Sequence, residues 1–168
     1  MYIALSKQAA KRYQRLWTSQ QDLLGAKSYA AFIAKKNWYE PDWTRKRSIY
    51  YQQHAFTTAL IVTYARAFID PRGWERELLD LIGEPEVDRI KLHEELMRLR
   101  NQIFAHSDLR LIDVRLFRVS DDTSSPPGYY TKIRHMQLYP NQIALLQTHA
   151  ADLSTKIASQ MLVITSSD

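Results

Sequence analysis

Three polar residues, Arg100, Asn101 and His106, have the side-chain types that cleavage of an RNA phosphodiester requires. An arginine stays cationic and can hold two phosphate oxygens as charge builds in the transition state. A histidine titrates near neutral pH and can act as a general base or a general acid. The amide of Asn101 could orient either the phosphate or the imidazole, so all three are candidate catalytic residues.

Four further polar residues are candidates for substrate binding: Arg66, His93, Ser107 and Asp108. His93 lies one heptad before Arg100, so both fall on the same row of a helix and could reach one cleft. Alternatively, His93 could be a structural helix histidine whose ring nitrogens are hydrogen-bonded within the protein. Arg66 could likewise form a salt bridge. Ser107 and Asp108 are also typical turn formers.

Arg100 and His106 have structural alternatives as well. Arg100 could form an ion pair with Glu95 or with a carboxylate on another helix, and an imidazolium at His106 could interact with the C-terminal dipole of its helix. The bare spacing also recurs at Arg47 and His54, which have six residues between them. Arg100 differs in its surroundings, which are an adjacent asparagine, a preceding helical stripe and the sequence Ala-His-Ser-Asp.

Helix geometry restricts how Arg100 and His106 can act together. Six residues at about 100° each place the two side chains about 240° apart around a regular helix. One regular helix therefore does not aim both side chains at the same phosphate. Either the helix ends or distorts near Phe104, or the corresponding residues of a second copy complete the site.

Hydrophobic periodicity predicts that long helices position these residues. The helix that bears the candidate site has apolar residues at helical steps, namely Leu92, Leu96, Leu99 and Ile103. We predict helices over 6–24, 27–36, 48–69, 74–81 and 86–105, followed by a last helix with Pro140 in its first turn. Gly25 is expected to end the first helix.

Two strands are predicted before the last helix. Residues 112–119 alternate between apolar and polar positions, and residues 129–138 form a return segment after a loop of turn formers (SDDTSSPPG). We therefore expect a mainly α single domain over 1–168. It should be a bundle of about four long helices with a small β-hairpin, at about 112–138, inserted before the last helix.

Composition excludes several classes of site. The 168 residues include no cysteine, which removes disulfides, thiolate metal sites and cysteine nucleophiles and fits a cytoplasmic protein. His54, His135 and His149 form no recognisable set of metal ligands, so neither a metal nor another cofactor is expected. The N-terminus does not read as a signal peptide, and the longest apolar run is too short to span a bilayer. The formal charge of +5 is compatible with a polyanionic partner.

The stretch His93 to Asp108 (HEELMRLRNQIFAHSD) resembles the signature of HEPN domains, an all-helical family that includes many ribonucleases of toxin and phage-defence systems. The family motif is an arginine, commonly followed by a polar residue, and a histidine after four to six intervening positions. Arg100, Asn101 and His106 match this motif with five residues between the arginine and the histidine. The run Leu60 to Phe68 is similar to the central helix of the abortive-infection branch. The predicted hairpin is not part of the family's minimal bundle.

The resemblance implies a metal-independent endoribonuclease of toxin or phage-defence type that leaves a 2′,3′-cyclic phosphate and a 5′-hydroxyl. It also implies a two-fold homodimer in which both motifs face a shared cleft. RNA is the implied substrate, and an antitoxin or a nucleotidyltransferase is an implied partner, whereas a membrane is not.

Two alternatives stay open at this point. The first is a non-catalytic HEPN module that binds a nucleotide or an antitoxin or nucleotidyltransferase partner. The second is a helical interaction protein in which the spacing of Arg100 and His106 is accidental.

Overall fold

The computed structural model describes residues 5–39, 47–69, 74–81, 86–104, 112–117, 128–133 and 138–166. Its elements in chain order are α1 (Lys7–Lys36), α2 (Arg47–Arg66), α3 (Trp74–Asp80), α4 (Val87–Phe104), β1 (Ile112–Phe117), β2 (Gly128–Ile133) and α5 (Pro140–Ser166). The prediction of a mainly helical chain is confirmed. The described elements include four long helices, and Pro140 is the first residue of the last one.

Helix α1 is longer than the sequence predicted. The hydroxyl of Ser6 accepts a hydrogen bond from the backbone N–H of Ala9 at 3.2 Å and caps the start of the helix. The helix then continues to Lys36 and ends at Asn37, which adopts the left-handed conformation with φ 52°. The prediction that Gly25 separates two helices is wrong.

The position of Gly25 explains why a glycine lies inside this helix. A Cβ atom built on Gly25 would meet Cγ2 of Thr63 in α2 at 3.1 Å. The glycine therefore allows the backbones of α1 and α2 to approach closely, which is one established use of a missing side chain. Because the constraint comes from the partner helix, the local rule that glycine ends a helix does not apply here.

The four long helices contact one another in a ring, in the order α1, α2, α4, α5 and back to α1. Helices α1 and α2 run antiparallel, since Gly25 approaches Thr63 while Tyr29 packs edge-on against Phe56 further along. Large side chains from all four long helices and from α3 fill the centre of the ring. They include Leu16, Leu23, Leu60, Ile61, Tyr64, Leu78, Leu96, Leu146, Leu153 and Ile157.

The short helix α3 is attached to α1 and α2 through Trp74. Its indole N–H lies 3.2 Å from both the hydroxyl oxygen of Ser19 and the carbonyl oxygen of Ala67. Ser19 in turn donates a hydrogen bond to the same carbonyl at 2.7 Å. Trp74 and Ser19 are both about 4% exposed, so this network is internal. It fixes the corner at which α1, α2 and α3 meet.

Strands β1 and β2 pair antiparallel, with Ile112 opposite Ile133 and Phe117 opposite Gly128. They lie within the interval for which strands were predicted. Leu138, which was predicted to end the second strand, is outside a strand and is buried in the helical core.

None of the helices in the described ranges combines the length and the apolar character that crossing a membrane requires.

Candidate functional site

Arg100 and Asn101 lie near the C-terminal end of α4 and contact each other. Nη1 of Arg100 donates a hydrogen bond of 2.9 Å to Oδ1 of Asn101. Arg100 is partly buried and Asn101 is exposed, so the pair lies at the edge of the bundle. The bond orients the amide relative to the guanidinium, and both groups are suited to holding a phosphate.

Glu95, the carboxylate considered as a partner of Arg100, is bound by Arg98. Nε of Arg98 lies 2.7 Å from a carboxylate oxygen of Glu95, and a second guanidinium nitrogen binds the other oxygen. This bidentate hydrogen bonding raises the pKa of Arg98. The structure therefore assigns Glu95 to a surface ion pair one turn away from the candidate site.

His106, Ser107 and Asp108 lie outside the described residues. Their roles and the separation of Arg100 from His106 accordingly stay predictions from the sequence.

His93 is an interior residue. It is about 4% exposed, and its Nε2 lies 2.8 Å from a carboxylate oxygen of Glu75 in α3. Its Nδ1 lies 3.0 Å from the hydroxyl of Tyr64 in α2. Both ring nitrogens therefore have hydrogen-bond partners within the protein, which agrees with the alternative interpretation of His93 as a structural histidine. Seven residues of helix, about 10 Å, separate His93 from Arg100 along α4.

The protonation of this network follows from its partners. The Glu75 carboxylate can only accept, so Nε2 of His93 carries a proton and donates it. In the neutral ring, Nδ1 is then an acceptor for the hydroxyl of Tyr64. Burial above all, with the nearby Glu75 charge, raises the pKa of Tyr64 and keeps the phenol protonated as a donor. The three residues connect α2, α3 and α4 through a complete hydrogen-bond chain.

Arg66 is held toward α1 by an ion pair with Asp22. The hydrogen bond and the charge of Asp22 raise the pKa of Arg66. The Arg66 side chain is 60% exposed, whereas that of Asp22 is 10% exposed, so a nearly buried carboxylate positions a surface cation. The ion pair with Asp22 therefore directs the guanidinium of Arg66 toward α1.

A basic pocket, which the sequence did not reveal, lies at the corner of α1, α2 and α3. Lys11 and Arg15 from α1 and Arg66 from the end of α2 line a cavity of about 320 Å³, together with Ile69 and Trp74. The available signal was the row of basic residues on α1. The proximity of these basic residues to Arg66 depends on how α1 packs against α2 and cannot be inferred from their spacing along the chain.

His149 is the second histidine of the core. It is about 1% exposed, and no residue in the described ranges accepts from or donates to either of its ring nitrogens. Burial above all, with a smaller contribution from the charge of Arg89, lowers the pKa of His149 to about 4. The ring is therefore neutral at physiological pH.

Comparison of the chain with protein-family models, with curated proteins and with solved structures finds no match in any of the three.

Proposed function

We propose that this chain is a HEPN-like, metal-independent endoribonuclease of toxin or phage-defence type. Arg100, Asn101 and His106 are its catalytic residues, and Ser107 and Asp108 contact the RNA. Arg66 and His93 are left out of this site, because Arg66 is held toward α1 and His93 is enclosed in the core.

The observation that carries the proposal is the hydrogen bond between Arg100 and Asn101 at the edge of α4. It pairs a permanent cation with an oriented amide on a rigid helix, rather than on a loop. Such a pair can bind the two non-bridging oxygens of a phosphodiester and stabilise them as negative charge increases. The formal charge of +5 favours association of the chain with RNA.

In the proposed reaction the ribose 2′-oxygen forms a bond to phosphorus while the bond between phosphorus and the 5′-oxygen breaks. A neutral imidazole takes the proton of the 2′-hydroxyl, and a protonated imidazole donates a proton to the leaving 5′-oxygen. The products are a 2′,3′-cyclic phosphate and a 5′-hydroxyl. Arg100 stabilises the phosphorane-like charge, and Asn101 orients the phosphate or the attacking imidazole.

A homodimer supplies the two imidazoles that this scheme needs. His106 of one subunit acts as the base and His106 of the partner subunit acts as the acid, in a cleft shared by the two motifs. In this proposal the fold is a HEPN-like bundle, and β1 and β2 form a hairpin inserted before its last helix. The protein acts in the cytoplasm, where an antitoxin or a nucleotidyltransferase partner controls it.

The cleavage chemistry provides the test. Purified protein is incubated with a labelled structured RNA in excess EDTA, and the product ends are identified by their reactivity with a phosphatase and a kinase. Cyclic phosphate and 5′-hydroxyl ends are expected, and an RNA with a 2′-deoxy substitution at the cleaved position should not be cut. Products with a 5′-phosphate would contradict the mechanism, and RNA binding without cleavage would favour a non-catalytic module.

A further inference from the structure

The positive charge of the chain is concentrated on helix α1. The whole sequence has 23 Lys and Arg residues and 18 Asp and Glu residues. Helix α1 has one acidic residue, Asp22, and seven basic ones, namely Lys7, Lys11, Arg12, Arg15, Lys27, Lys35 and Lys36. The rest of the chain therefore has 16 basic and 17 acidic residues, so the net charge of +5 comes from this one helix.

The two long helices that pack against α1 do not compensate its charge. Helix α2 has no acidic residue, and α5 has only Asp152. Asp152 binds Arg89 of α4 at 2.7 Å, and Asp22 binds Arg66 of α2. Helices α2, α1 and α5 together carry ten basic and two acidic residues, so this side of the bundle has a positive potential that attracts polyanions.

The connecting segments next to α1 and α2 are neutral overall. Residues 37–46 include two acidic and two basic residues, and residues 67–73 include one of each. Glu77 of α3 pairs with Arg12. Lys7, Lys11, Lys27 and Lys35 are exposed, and none of these four forms an ion pair with a residue in the described ranges.

The solvent side of α1 also presents an aromatic ring. Exposed residues recur along it at helical steps, namely Gln14, Trp17, Gln21, Leu24 and Ser28. The side chain of Trp17 is 51% exposed. In the sequence it lies between the pair Lys7 and Lys11 and the pair Lys27 and Lys35. Basic residues that flank an exposed aromatic ring are typical of surfaces that bind single-stranded nucleic acid, because phosphates contact the cations and a base stacks on the ring.

The burial of the apolar stripe of α1 argues against a membrane surface as the polyanion. Leu16, Leu23 and Ile33 lie in the core of the bundle, whereas a helix that binds in a membrane interface inserts its apolar face into the lipid. From Lys7 to Lys36 the helix is about 44 Å long, which is enough to follow a strand of several nucleotides.

We propose that the outer face of α1 binds a single-stranded segment of RNA, with phosphates at Lys7, Lys11, Lys27 and Lys35 and a base stacked on Trp17. The choice of RNA as the polyanion rests on the proposed function. The binding surface itself lies on a different helix from the Arg100–Asn101 pair and does not depend on cleavage.

Fluorescence anisotropy with a labelled 2′-O-methyl RNA strand of about 12 nucleotides tests the proposal. Its methoxy groups replace the 2′-hydroxyls, so binding is measured without cleavage. The double variant Lys7→Ala/Lys11→Ala should bind at least about fivefold more weakly. Its slope of log affinity against log salt concentration should be smaller by about 1.4, because each phosphate contact on a single strand contributes about 0.7.

The matched control is Arg76→Ala/Lys91→Ala, which removes the same charge from exposed positions of α3 and α4. It should change the affinity less than about twofold, because charges away from the bound strand are screened by salt. Unchanged thermal unfolding of each variant shows that it is folded.

Trp17 is tested separately from the lysines. Trp17→Ala should weaken binding at least about fivefold without changing the salt slope, because stacking is not an ionic contact. Trp17→Tyr keeps an aromatic ring and should retain most of the affinity. Equally tight binding of an RNA duplex, with no effect of Trp17→Ala, would assign the surface to duplex backbones and overturn the single-strand assignment.

The outcomes for this surface and for the ribonuclease are distinguishable. Arg100→Ala should bind the 2′-O-methyl strand within about threefold of the wild type. If the wild type binds this strand through α1 but does not cleave natural RNA, the ribonuclease is refuted and the surface is supported. The inference is overturned if the wild type shows no saturable binding, or if the control variant loses as much affinity as the α1 variant.

Discussion

The hydroxyl of Tyr64 and Nδ1 of His93 lie 3.0 Å apart in the core, where α2 meets α4. Both residues are buried, and the opposite ring nitrogen of His93 is bound by Glu75. The contact satisfies two polar groups that would otherwise be costly inside a helix bundle. It also gives α2 and α4 a fixed relative position.

Replacing Tyr64 by phenylalanine should therefore destabilise the fold. The ring remains, but Nδ1 of His93 loses its partner in a site without access to water, which costs about 1–3 kcal/mol. Urea denaturation followed by circular dichroism measures the change. Tyr139→Phe serves as the control because Tyr139 is 59% exposed, and it should change stability by less than about 0.5 kcal/mol. Equal effects of the two substitutions would show that the hydrogen bond has no energetic role.

His149 should make the fold sensitive to mild acid. Its pKa in the folded protein is about 4, below the ordinary value of 6.5, so the unfolded chain takes up a proton first as the pH falls from 6.5 toward 4. The contribution of His149 to the free energy of unfolding is fully present above pH 6.5. It decreases as the pH falls from 6.5 toward 4, and the loss is about 2 kcal/mol at pH 5.

The variant His149→Leu removes the titrating group while keeping a similar volume. Its free energy of unfolding should fall less than that of the wild type between pH 7 and pH 5, measured by urea denaturation at each pH. At pH 7 it should be at least as stable as the wild type, because His149 has no hydrogen-bond partner in the described structure. Parallel pH profiles of the two proteins would refute a neutral buried His149.

The close approach of Gly25 to Thr63 should determine how the substitution Gly25→Ala changes the free energy of unfolding. Alanine at position 25 gains about 1 kcal/mol of helix propensity but crowds Cγ2 of Thr63, which lies 3.1 Å from the added Cβ. Gly25→Ala should therefore stabilise the Thr63→Ala background by about 1 kcal/mol and the wild type by less. A double-mutant cycle of unfolding free energies measures the difference. Independence of the two substitutions would mean that α1 and α2 are not in close contact there.

A cleft that uses His106 of both subunits should be inactivated when either imidazole is removed. When wild-type protein is mixed with an equal amount of His106→Ala protein, random exchange leaves about half of the wild-type chains in heterodimers that lack one imidazole. The cleavage rate should then fall to about half of that of the same amount of wild-type protein alone. The rate is measured after the two proteins are mixed under conditions of subunit exchange. An undiminished rate, with exchange verified by mass spectrometry, would contradict a site shared in this way.

The long helices are predictable from sequence because their apolar residues recur at a period near 3.6. The stripe that contains Leu92, Leu96 and Leu99 places α4 almost at its observed bounds, and Pro140 marks the start of α5. The error at Gly25 arises because a glycine that stops a helix and a glycine that admits a neighbouring helix look the same locally. Only the position of Thr63 distinguishes the two.

The candidate site is predictable only in part, for a similar reason. Arg100 and Asn101 are adjacent in sequence, so their contact depends on one helix. His93 lies on the same row as Arg100, yet its environment is set by Tyr64 and Glu75, which are 29 and 18 residues away in the chain. Spacing along a helix gives the direction of a side chain but not what the facing helix presents to it.

The rate of RNA cleavage by single-residue variants tests the proposed ribonuclease most directly. Arg100→Ala and His106→Ala should each lower the single-turnover rate at least about 100-fold while leaving the helical circular dichroism unchanged. The control variants Arg47→Ala and His54→Ala, which change an arginine and a histidine of similar spacing on α2, should stay within about threefold of the wild type. Undiminished cleavage by both the Arg100 and the His106 variants, or equal losses in the control variants, would contradict the assignment of the active site.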